Sequence, residues 1–247
     1  GDPVKAQAAE NLIPHFEAIA SQFWKRFEKA ELEARLRRFA SSRPPTEKSF
    51  LLRRWSEIET GIEDPVWLPM LSFNADGTAN EVVHTDVAFD LFYGDLSPER
   101  FERILTFLEL PFPVGVITEA GPIVANPALS SNPEHYRTLG PGQYHGMVVW
   151  SWQSAMLQLG LARQLPLHPQ FDSRIRTVIG ALQAGEKLAG ELGTSELWGV
   201  SFADGRVSPR PYGEGGDETE SNAMQLWSTV YPAVRYTLGK LTPRVLP

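Results

Sequence analysis

The sequence predicts an all-α fold built of helical hairpins in two concentric layers, with small β-hairpins confined to loops. Three observations carry that prediction. Apolar residues recur at three- and four-residue steps through most of the chain, the spacing of one helix face. Residues 145 to 163 are apolar all round, whereas 171 to 190 carry a single apolar face, the contrast expected of an inner helix beside an outer one. Strand signals are limited to two Asp-Gly steps between short apolar runs.

Residues 4 to 38 form the first predicted helix, with Leu12, Phe16, Ile19, Phe23, Phe27, Leu32 and Leu36 as its stripe. Ser41-Ser42-Arg43-Pro44-Pro45 ends it, because proline cannot continue a helix. Thr46 is the predicted cap of a second helix carrying Leu51, Leu52, Trp55 and Ile58. Residues 66 to 73 and 78 to 84 flank Asp76-Gly77 and predict a hairpin, followed by a short helix through Val87 to Phe92. Ser97-Pro98-Glu99 starts the next helix, whose buried stripe is Phe101, Ile104, Leu105 and Leu108. Residues 111 to 143, rich in Gly, Pro, Asn and Ser, predict a long ordered loop, a kind that is usually functional. The all-round helix 145–163 carries Met147, Val148, Val149, Trp150, Trp152, Met156, Leu157 and Leu159. Helix 171–190 has Ile175, Val178, Ile179 and Leu182 on one face. A second hairpin is predicted from Leu197 to Val207, then an acidic loop from Gly213 to Glu220. The last predicted helix bears Ala223, Leu226, Trp227, Val230, Tyr231 and Val234.

Composition narrows the function classes. With 23 Lys and Arg against 30 Asp and Glu, the net charge is −7, the wrong sign for a nucleic-acid or anionic membrane partner. No apolar run is long enough to span a bilayer. Without cysteine, a disulfide, a thiolate metal site and a Cys nucleophile are excluded, which suits a cytoplasmic or a periplasmic setting equally. Gly1-Asp2-Pro3-Val4-Lys5 does not read as a secretory signal. No HExxH pair, His cluster, EF-hand spacing, G-x-S-x-G or phosphate-binding glycine loop occurs, so no metal and no cofactor is expected. Neutral sugars remain compatible. Several of the seven Trp stand beside polar residues in predicted loops, where sugar-stacking rings are found; core packing is the competing reading for each.

Three segments, in order, resemble the C-terminal half of amylo-α-1,6-glucosidase-type glycogen debranching enzymes and their relatives among the (α/α)6 glycosidases. Ser97 to Ala125 resembles a capped helix followed by the family's TP-x-GLRT loop, here Leu110-Pro111-Phe112-Pro113, Gly115-Val116-Ile117-Thr118 and Gly121-Pro122. Tyr144-His145-Gly146-Met147-Val148-Val149-Trp150 is similar to the YHxGxVW motif, with Gly146-Met147 where the family has a polar residue and then glycine. Ser195-Glu196-Leu197 and Gln225-Leu226-Trp227-Ser228 resemble the PEL and QAWS segments, with Ser195 in place of proline. The resemblance covers roughly residues 90 to 235, and Trp67 to Asp95 has no clear counterpart. It implies a toroid of six helical hairpins. Twelve such helices with their loops need about 250 residues or more. The chain spends its 247 on seven or eight helices, hairpins and loops, so 1–247 is expected to be a single domain forming the C-terminal part of an incomplete toroid.

The resemblance also implies chemistry. Glycoside hydrolysis needs two carboxyl groups across the scissile bond, one protonating the leaving oxygen and, in inverting enzymes such as these relatives, one activating water. Glu196 matches the family's glutamate and is the candidate base; a solvated loop-start or cap-partner Glu is the competing reading. Glu191 is the runner-up, with Glu119 and Glu220 as outsiders. The family's acid lies in an upstream Trp-Met-Asp-like motif absent here, and is expected outside this chain. Asp86 and Asp90 are the best substitutes, against the bland readings of an N-cap and a solvated face. Tyr144, His145, Trp150, Trp198, Gln225 and Trp227 are the candidate sugar-facing wall. The expected function is a glycoside hydrolase acting on α-glucosides or related oligosaccharides. The alternative is a non-catalytic carbohydrate-binding or structural toroid fragment, and a plain helical interaction module is a third reading. An open toroid would expose the apolar inner helix, so the expected partners besides carbohydrate are an N-terminal segment of the same protein or further copies of the chain.

Overall fold

The computed structural model of the chain describes residues 3–8, 10–11, 23–74, 76–202, 205–213 and 236. Residues 3–8, 10 and 11 are helical, but the first predicted helix does not run on to residue 38: Trp24–Phe27 is a strand, β1. Phe27, whose spacing suits a helix stripe, is 1% exposed because it pairs with Val66 and lies under the cationic ends of Lys25 and Arg35. Pairing with a distant strand overrides a local period. The helical part of that stripe survives as α1 (Lys29–Ser41), which buries Leu32, Leu36, Phe39 and Ala40. The next helix, α2 (Pro45–Ile58), begins one residue before Thr46, with proline in its first turn, and buries Phe50, Leu51 and Trp55.

Asp76-Gly77 turns the chain between β2 (Val66–Phe73) and β3 (Ala79–His84), as the sequence predicts. Gly77 takes a φ of 82°, open to glycine at little cost, and Asp76 Oδ1 accepts from Thr78 N at 2.9 Å. After the hairpin come α3 (Val87–Tyr93) and α4 (Pro98–Glu109). Ser97 caps α4 by accepting from Arg100 N at 3.3 Å, and the predicted stripe of Phe101, Ile104, Leu105 and Leu108 is buried.

Residues 111 to 143 are ordered, as predicted, yet they run through the core. They contain β4 (Ile117–Thr118), β5 (Gly121–Pro122), β6 (Ala125–Asn126), a 3-10 turn at Pro127–Leu129 and a short helix, α5 (Glu134–Thr138). Val114, Val116, Ala120, Ile123 and Val124 are fully buried. Buried backbone must be paired, and Asn126 Nδ2 supplies part of that pairing by donating to Pro113 O at 2.9 Å and Gly115 O at 2.8 Å.

The predicted helix 145–163 is a strand followed by a helix: β7 (Val148–Trp150), then α6 (Ser151–Gln164). Val-Val-Trp is β-branched and aromatic, and it pairs with Leu197 to Gly199 of β8 (Leu197–Ser201). The amphipathic helix α7 (Asp172–Ala189) buries the predicted Ile175, Val178, Ile179 and Leu182. The second hairpin forms between β8 and β9 (Ser208–Arg210).

The fold is therefore mixed α/β and not an all-α toroid. Among the described residues the strands form three antiparallel sheets, ordered β1-β2-β3-β6, β4-β5 and β7-β8-β9. The predicted hairpins are not loop decorations, since Leu68, Val82, Val83, Leu197 and Trp198 have no exposed surface. One apolar core runs from Phe27 to Val207 and draws on both helices and strands. The all-round burial predicted for the inner helix holds for α6, where Ser151, Gln153, Ser154, Leu157, Gln158 and Leu161 are all buried. Sheet and helices cover it, rather than a ring of hairpins. Among the described residues no helix is long and apolar enough to cross a membrane.

Candidate functional site

The site is built where β7 hands over to α6. Antiparallel pairing sets Trp150 opposite Leu197, so the residue before β8, Glu196, lies beside the first turn of α6. Ser151 fixes it there: its backbone N and its Oγ both donate to the Glu196 carbonyl at 2.9 Å. The Glu196 side chain has no exposed surface. The Tyr144 hydroxyl donates to Oε1, while Oε2 is buried with no hydrogen-bond partner among the described residues. An orphaned carboxyl oxygen in the interior costs about 1–3 kcal/mol.

Above this carboxyl group is a row of aromatic rings. Tyr144 lies 5.2 Å from Trp150, and Trp150 Nε1 donates to Tyr144 O at 3.1 Å. His145, exposed, stands 5.1 Å from Trp150. Trp150 stacks on Trp152 at 5.4 Å, and Trp152 meets Phe89 of α3 at 6.1 Å. At the other end Tyr212 stands 6.3 Å from Tyr144. A small apolar cluster of Val124, Val148 and Leu197 supports Tyr144, Trp150 and Tyr212 from below.

Asp86 lies at the α3 end of the row. It holds the N-cap position of α3, but its side chain caps nothing. Instead Oδ1 accepts from Gln153 Nε2 at 3.3 Å and stands 2.9 Å from His84 Nδ1, too far off line to be a hydrogen bond. Ser151 and Gln153 therefore tie Glu196 and Asp86 to the same turn of α6. Asp86 also lines a cavity of about 270 Å3 with Trp24, Met70, His84, Asp90 and Arg100.

No family model, no curated protein and no solved structure matches this chain.

The structure thus brings Glu196, Tyr144, His145, Trp150 and Asp86 to one end of α6. It does not bring Trp198 there. That ring is wholly buried on the core side of β8, donates through Nε1 to Ala120 O at 2.9 Å and packs against Gly121, so it is a core residue and not part of the wall. Alternation along the strand sends neighbouring residues to opposite faces. Gln225, Trp227 and Glu220 lie outside the described residues. Asp90 pairs with Arg100 at 2.7 Å, Glu119 with Arg54 at 3.1 Å, and Glu191 is exposed. Trp152, Gln153, Phe89 and Tyr212 are the members that sequence reasoning missed. On the continuous helix that the sequence predicts over 145–163, Trp150 and Trp152 would not face each other. Among the described residues no group of three or more His, Asp and Glu side chains could hold a metal ion.

Proposed function

We propose that the chain binds a neutral oligosaccharide, an α-glucoside or a relative of one, along the aromatic row and hydrolyses a glycosidic bond there. Glu196 is the base that draws a proton from water, and Asp86 is the acid candidate within this chain. The observation that carries the reading is the row Tyr212, Tyr144, Trp150, Trp152 and Phe89, with one carboxyl group held at Tyr144 and another at the α3 end. Indole and phenol faces match the C–H faces of pyranose rings, and the orphaned Glu196 oxygen is suited to accept from water or a sugar hydroxyl.

The complete burial of Glu196 favours a second reading, a carbohydrate-binding site without hydrolysis. Incubating the chain and its Glu196→Gln variant with maltotetraose and cellotetraose separates the two. Hydrolysis reduced about 100-fold or more in the variant is the expected result for a base. Binding without turnover by either protein would favour the second reading. Neither binding nor turnover would remove both.

A further inference from the structure

A second cavity, of about 430 Å3, opens between β2 and α4, and none of its lining residues belongs to the Glu196 row. Its volume falls within the range of small-molecule sites, roughly 300–1,000 Å3. On one wall Trp67, an outward-facing residue of β2, remains 45% exposed. On the other wall is Arg103 of α4. Its guanidinium lies over the Trp67 ring at 5.7 Å and over the Trp24 ring at 5.8 Å, so it is held between two indoles. The nearby Glu102 and Glu109 are engaged by Arg174, at 3.6 and 2.5 Å, and Arg103 has no ion-pair partner among the described residues. Stacking uses the flat face of a guanidinium and leaves its N–H edge to donate. Glu63, Glu99 and Glu102 add acceptors around the same opening.

This chemistry selects a class of ligand. An anion would meet four carboxylates and one guanidinium in the lining. A cation would find the indole faces beside Arg103 already covered by a cation. A neutral polyhydroxyl compound needs donors, acceptors and apolar ring surface together, and the part of Trp67 that Arg103 leaves exposed supplies the last. We propose that this cavity is a saccharide-binding site for neutral oligosaccharides, separate from the Glu196 site and independent of whether that site is catalytic.

The test is fluorine NMR of the chain labelled with fluorotryptophan, with the Trp67 signal assigned by the Trp67→Phe variant. Maltotetraose is the probe, and the glucosamine tetramer and tetragalacturonate are its cationic and anionic counterparts. The expected result is a saturable shift of the Trp67 signal with maltotetraose, with a midpoint raised at least tenfold in the Arg103→Ala variant. A Trp67 signal that maltotetraose leaves unmoved overturns the inference. If the Trp150 or Trp152 signals move in that case, the Glu196 reading survives without it. A Trp67 shift with those two unmoved supports this site and removes the other. Tighter binding of either charged tetramer at Trp67 overturns the assignment to neutral saccharides.

Discussion

Tyr144 is the donor that keeps the buried Glu196 carboxyl from being wholly unsatisfied. Removing only its hydroxyl leaves both carboxyl oxygens without partners. Tyr144→Phe should therefore lower stability by about 1–3 kcal/mol, although it deletes a single atom. A thermal midpoint unchanged in the variant would contradict that role. A different buried carboxylate ties stability to pH on the acid side. Burial alone would raise the pKa of Glu81, but hydrogen bonds from Arg35, Lys25 and Ser131, with the Arg35 charge, hold it down at about 2. A folded pKa below the ordinary value means stability that is complete above about 4.5 and lost as pH falls toward 2. Urea midpoints should fall over that window in the native chain. Glu81→Gln should be less stable near neutrality, where it leaves Lys25 without its partner and Arg35 with Glu31 alone, and should lose less on acidification.

At the scale of elements, α6 is held by how closely α3 approaches it. A methyl group on Gly160 would stand 2.6 Å from Leu91 Cβ and 3.1 Å from the Leu91 carbonyl carbon, so no side-chain rotation could relieve it. Alanine gains about 1 kcal/mol over glycine in a helix interior, whereas overpacking costs about 1–3 kcal/mol with rigid backbone behind it. The clash wins, and Gly160→Ala should destabilise. Gly180, in α7, has nothing within 4 Å of the same methyl position, so only the propensity gain applies and Gly180→Ala should stabilise by up to about 1 kcal/mol. Denaturant titration of the two variants reads the opposite signs directly. A stabilising shift in Gly160→Ala would show that α3 and α6 are not packed as described.

At the scale of the whole molecule, the main apolar core of the described residues joins β1 and α1 to the residues beyond β8. Trp55 and Trp198, both in that core, stand at widely separated points of the chain. Unfolding should therefore be one cooperative transition, with tryptophan fluorescence and far-ultraviolet circular dichroism giving coincident curves. Two separated transitions would divide the chain into independent units. The expectation that the chain associates rests on an open inner helix exposing apolar surface. In the structure α6 is buried on most sides, which removes that reason.

What was legible in the sequence is what neighbours along the chain decide. The Ser97-Pro98 helix start, the turn at Gly77 and the one-sided stripe of α7 depend on residues within a turn or two of each other. Tyr144, His145, Trp150 and Glu196 are candidates on a different ground, the resemblance of their segments to debranching-enzyme motifs. Tertiary structure decided the rest. Phe27 and Val148–Trp150 fit a helical period, and only pairing with Val66 and with Leu197–Gly199 made them strands. That same pairing turned Leu197 toward Tyr144 and Trp150 and its neighbour Trp198 into the core, because successive residues of a strand face opposite ways, while Glu196, just before the strand, is held by Ser151 and Tyr144. An all-α reading could not contain this, because nothing within Trp24–Phe27 or Val148–Trp150 names a partner distant in the sequence. Sheet pairing is a long-range choice, whereas a helix face is a local one.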